Sequence, residues 1–110
     1  MYSFFQCDFL LLVPAIITEI SSEQTVREGD NLQLTCKTSG KPEPNITWTK
    51  EKPGNQGNTV VLQEGKVLTI KKISRNDSGT FNCTAYNGFG EADSRTVHVN
   101  VTCEYALKKL

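Results

Sequence analysis

The stretch Asp77-Ser78-Gly79-Thr80-Phe81-Asn82-Cys83-Thr84-Ala85 decides how the chain is read. Phe81, Cys83 and Ala85 alternate with Asn82 and Thr84. Successive side chains leave a strand on opposite sides, so this period of two marks a strand with one apolar face. Asp77, Ser78 and Gly79 are turn formers and place a corner just before it. The same alternation recurs outward in both directions. Leu32, Leu34 and Cys36 alternate with Asn31, Gln33 and Thr35, and Ile46 and Trp48 stand between Asn45, Thr47 and Thr49. Leu68 and Ile70 repeat it, and Val97, Val99 and Val101 oppose Thr96, His98 and Asn100. No helix-period stretch competes. Gly40 to Pro44, Pro53 to Asn58 and Asn87 to Gly90 separate these runs with residues that set or tolerate turn dihedrals. From about Ile16 onward this is the pattern of an all-β sandwich. Asn87-Gly88 predicts a type I′ hairpin turn, because both residues tolerate positive φ.

With 110 residues there is room for one domain and little else. Twelve Lys and Arg balance twelve Asp and Glu, so no electrostatic field favours nucleic acid or an acidic membrane surface. The four cysteines, Cys7, Cys36, Cys83 and Cys103, include no Cys-x-x-Cys pair of the kind that builds zinc or redox centres. That leaves disulfide chemistry, which belongs to an oxidising compartment. Four N-glycosylation sequons, at Asn45, Asn76, Asn82 and Asn100, point the same way. Residues 1–15 read as a leader or the remnant of a signal peptide. Phe9 to Val13 is apolar and Pro14-Ala15 follows, although Met1 to Gln6 lacks the usual basic residue. The run is too short to span a bilayer. Residues 16–101 then form the domain, and residues 102–110 a tail or linker.

Cys36, Trp48 twelve positions on, and Asp77-x-Gly79-x-Phe81-x-Cys83 together resemble the immunoglobulin superfamily. Val26-Arg27-Glu28-Gly29-Asp30, Gly40-Lys41-Pro42-Glu43-Pro44 and Cys83-x-Ala85-x-Asn87-x-x-Gly90 are similar to its I-set subclass. The resemblance implies a two-sheet antiparallel Greek-key sandwich, an immunoglobulin-like all-β fold. It implies a disulfide between Cys36 and Cys83 across the core, with Trp48 against the sulfurs. Leu34, Leu68, Ile70, Phe81 and Val99 complete the expected core, and Asp77 and Gly79 shape the turn. One position departs from the family. Phe81 stands where the family has its corner tyrosine, so the missing hydroxyl should leave that corner looser.

For function the resemblance implies an extracellular, secreted or cell-surface module for protein–protein recognition or cell adhesion, without catalysis. The partner would be another immunoglobulin-superfamily or surface protein, homophilic binding included. No nucleic acid, small-molecule substrate, cofactor or metal is expected, and membrane attachment would come only through a part of the protein not in this chain. The alternatives are a ligand-binding ectodomain fragment of a receptor, such as a receptor tyrosine kinase, and an intracellular structural spacer of the titin type. The sequons and the Cys36, Cys83 pair argue against the spacer. Tyr86 and Phe89, near the Asn87-Gly88 turn, are the candidate partner contacts. His98, the single histidine, is expected to be an exposed spectator, and Lys66, Lys71, Lys72 and Arg75 a solvated basic face. A bond between Cys7 and Cys103 is not expected, because the leader would have to fold back across the whole sandwich.

Overall fold

Alternate burial along the strands builds two layers with their apolar faces inward. The computed structural model describes residues 11–51 and 59–103. In chain order the strands are β1 (Val13–Ile20), β2 (Gln24–Arg27), β3 (Leu32–Lys41), β4 (Asn45–Glu51), β5 (Thr59–Glu64), β6 (Val67–Ile70), β7 (Gly79–Tyr86) and β8 (Asp93–Thr102). A 3-10 turn, Arg75–Asp77, links β6 to β7. The sheets run β1-β3-β6 and β2-β8-β7-β4-β5. Among the described residues the pairings are antiparallel except β2 with β8, which is parallel from Gln24↔Val99 to Arg27↔Thr102. This departs from a purely antiparallel sandwich. The chain leaves the first sheet after Ile20 and crosses to the edge of the second within three residues, arriving in the direction of β8.

Between the layers lies one cluster whose largest fully buried members are Trp48, Phe81, Ile17, Leu32, Leu34, Leu68, Ile73 and Val99, with Cys36 and Cys83 bonded at its centre. Ile70 is only half-buried and packs at the margin of this cluster. It is the last residue of β6, an edge strand, so only part of its side chain is covered.

The first strand begins at Val13, three residues before the boundary expected at Ile16, and Ala15 belongs to the core at 3% exposure. Pro14 reads in sequence as the end of a leader, but a residue without an N–H is tolerated on an edge strand, and β1 is one. The last strand runs one residue past Val101, to Thr102. Asp93 Oδ2 accepts a 2.7 Å hydrogen bond from the Ile17 amide and so ties β1 to the start of β8 across the sandwich.

The turn at Asn87 also differs from expectation. Cross-strand pairing stops at Ala85↔Asp93, so the connection is a longer loop than a two-residue turn. Positive φ falls on Gly88 (83°) and Gly90 (72°), not on Asn87. Asn87 is used differently: its side-chain amide donates to Val13 O at 2.7 Å and to Pro42 O at 2.9 Å, and its carbonyl accepts from the Phe89 amide at 3.1 Å. A Cβ on Gly90 would lie 3.0 Å from that of Pro14. The loop is thus pinned down on β1 and on the β3–β4 turn.

Candidate recognition surface

The corner before β7 has its own fastenings in place of a tyrosine hydroxyl. Ser74 Oγ accepts from the Asn76 amide at 3.2 Å, and Asp77 Oδ2 accepts from the Ser74 amide at 2.9 Å. These reciprocal bonds are a capping box closing the 3-10 turn. Ser78 Oγ accepts from the Val101 amide at 2.8 Å and locks the turn to β8. Lys50 reaches in from β4, donates from Nζ to Asn76 O at 3.1 Å, and lies 5.3 Å over the Phe81 ring. Phe81 is fully buried. The looseness expected at this corner is countered by a lysine that packs on the ring and bonds the turn from the other side.

Burial lowers the Lys50 pKa below its ordinary 10.5, and the nearby Asp77 carboxylate opposes part of that shift. A base whose pKa falls on folding is bound to its proton more tightly in the unfolded chain. The cost of burying the ammonium is therefore fully present at neutral pH and is relieved as pH rises through the lowered pKa toward 10.5. We expect urea unfolding under alkaline conditions to show stability rising for the wild type relative to Lys50→Met. Parallel curves for the two proteins would show that Lys50 is not desolvated by folding.

The outward face of the five-stranded sheet carries hydroxyl and amide side chains. Thr84 and Ser94 share a 2.9 Å hydrogen bond across β7 and β8, and Thr80 Oγ1 meets His98 Nδ1 at 2.8 Å. His98 is exposed, with this threonine as its partner. Apolar groups reach solvent in two other places. On β5, the edge strand next to β4, Val60, Val61 and Leu62 are exposed in succession, Val61 to 61%. Where β7 ends, Tyr86 is 47% and Phe89 38% exposed, at the end where Leu11 and Leu12 lead into β1. The β5 run escapes a reading of the sequence because Val60-Val61-Leu62 has no alternation and looks fully buried.

Asn45 and Asn100 are exposed on the sheet, and Asn76 is exposed in the 3-10 turn. Asn82 is half-buried at mid-strand, with its Oδ1 buried and without a hydrogen-bond partner among the described residues. Lys66, Lys71 and Lys72 are exposed, while Arg75 pairs with Glu28 at 4.0 Å. Cys103 is a half-buried free thiol just past β8, and Cys7 lies outside the described residues. Among the described residues no three His, Cys, Asp or Glu side chains gather to hold a metal ion, and no helix is long and apolar enough to cross a membrane.

Two sheets joined by one buried disulfide, with tryptophan beside it, match a known family: the immunoglobulin domain family covers residues 14–87. The chain belongs to that family. It is 40% identical over 97 residues to human IgLON family member 5, covering 87% of this chain and 27% of that protein. To Lachesin of Drosophila melanogaster it is 35% identical over 89 residues, covering 80% of this chain and 25% of the relative. It also superposes with a TM-score of 0.69 and 34% identity on a chain from the crystal structure of Dpr2 Ig1-Ig2 in complex with DIP-Theta Ig1-Ig3, covering 82% of this chain and 32% of that one. This immunoglobulin domain therefore spans about a quarter of the length of the curated relatives, 25–27%.

Proposed function

We propose that this immunoglobulin domain is an extracellular recognition and adhesion module that docks another immunoglobulin-type surface protein, a second copy of itself included, through the β5 edge. The carrying observation is the run Val60-Val61-Leu62, exposed on an edge strand beside a face otherwise lined with hydroxyls. An edge strand offers unpaired backbone groups to a partner, and here exposed apolar side chains flank those groups on both faces of the strand. The complex of Dpr2 with DIP-Theta, an assembly of such domains, supports a partner of this type. The buried Cys36–Cys83 bond and the four sequons support an oxidising, extracellular setting. Phe89 is a second contact at the pole, held in place by the Asn87 bonds.

The test uses the full chain behind an independent secretion signal, coated on beads and mixed with beads carrying either the same chain or the ectodomain of IgLON family member 5. We expect clustering in one of the two mixtures. Val61→Lys, a change at an exposed side chain, should weaken it about tenfold or more, the usual effect of losing an anchor residue. Clustering unaffected by Val61→Lys would move the site off β5, and no clustering in either mixture would overturn the reading.

A further inference from the structure

We propose that Asn45 carries an N-linked glycan whose first sugars lie on the ring of Tyr86. Asn45 opens the sequon Asn45-Ile46-Thr47. Its side chain is exposed and points away from the core, because Ile46 and Trp48 take the inward positions of β4. In the ladder between β4 and β7, Asn45 is directly opposite Tyr86. Side chains in such a pair share one face, with Cβ atoms about 5 Å apart. Tyr86 leaves 47% of its surface exposed. A pyranose ring presents an apolar face of C–H groups, and a sugar attached at this distance can cover the tyrosine ring while its hydroxyls stay in water.

The other sequons lack this arrangement. Asn82 is flanked by Thr49 and Thr96, with its carbonyl oxygen buried. Asn100 stands beside Thr25 in the parallel pair, and Asn76 belongs to the 3-10 turn. Among the described residues, Asn45 alone combines an exposed sequon asparagine with an exposed aromatic ring directly across the ladder. The proposal gives Tyr86 a partner within its own chain and leaves the β5 edge free for recognition.

In the covalent step the Asn45 side-chain nitrogen attacks the anomeric carbon of an oligosaccharide carried on a polyprenyl pyrophosphate. The N–C bond forms, the bond from that carbon to the pyrophosphate oxygen breaks, and the polyprenyl pyrophosphate leaves with the electron pair. The amide loses one proton to base. The donor is met in the secretory pathway, so the inference rests on the extracellular reading.

The full chain is expressed in animal cells behind an independent secretion signal, and glycopeptides are mapped from secreted and cell-retained material alike. We expect Asn45 to be occupied. Asn45→Gln and Tyr86→Ala should each lower the thermal midpoint by about 4 °C, the low end of the shift a small domain shows for a loss of about 1 kcal/mol. The double variant should fall no further than either single one, and removing glycans from the wild type with an amidase should reproduce the drop. Additive shifts would overturn the contact. A bare Asn45 in a chain glycosylated at its other sequons would overturn the proposal while leaving the extracellular reading in place. A chain bare at all four would overturn both.

Discussion

Replacing Cys36 and Cys83 together by alanine is expected to cost about 4 kcal/mol, measured as the difference in urea unfolding free energy between the oxidised wild type and the double variant. The bond closes a loop across 47 residues of sequence. Held in the unfolded state, it removes that much chain freedom, which on the loop-closure argument amounts to about 4 kcal/mol at room temperature. The folded state adds little to this loss. Both sulfurs sit in the core with zero exposure, and alanine leaves only small voids behind. Domains of this size commonly have about 5 to 15 kcal/mol in all, so the variant would stand near the edge of folding at body temperature. The chain without the crosslink also expands further on unfolding, so the urea dependence should steepen. A loss under about 1 kcal/mol would mean that the denatured chain retains compact structure, leaving the crosslink little to restrict.

Much of this architecture was legible because its main signal is local. Leu32, Leu34 and Cys36 declare their common face within five residues, and the buried positions follow that alternation. Turn chemistry at Asp77-Ser78-Gly79 is local too, and the capping box with Ser74 spans four residues. What stayed hidden depends on residues distant in the chain. Asn87 resembles a hairpin asparagine by its neighbour Gly88, yet its side chain is satisfied by carbonyls 74 and 45 positions away. Lys50 reads as an ordinary surface lysine until the fold brings it over Phe81 and next to the Asn76 carbonyl. The parallel pairing of β2 with β8 cannot be read from Gln24 to Arg27, because four residues carry no record of their partner's direction. On the surface the same limit holds. Asn45 and Tyr86 lie 41 positions apart in the numbering, and only the β4–β7 register makes them neighbours.

Trp48→Ala is the second large effect, and its comparison with Trp48→Phe carries the information. Trp48 has zero exposure and stands directly across from Cys83 in the β4–β7 ladder. Truncation to alanine removes the largest side chain of the core and leaves a cavity that rigid sheets on both sides cannot close, so about 3 to 5 kcal/mol should be lost. Phenylalanine keeps one ring of the two. It also deletes Nε1, which is buried with no hydrogen-bond partner among the described residues. An orphaned buried donor costs about 1 to 3 kcal/mol, and its removal returns part of what the smaller cavity takes away. Trp48→Phe should therefore cost well under half as much as Trp48→Ala in urea unfolding. The same two substitutions in the alanine variant lacking the disulfide should show non-additive losses, since indole and sulfurs pack in one cluster and share the void each leaves. If Trp48→Phe instead destabilised nearly as much as Trp48→Ala, the indole N–H would have to be bonded, with a buried water as its partner. The tryptophan would then hold a polar link as well as volume at the centre of the sandwich.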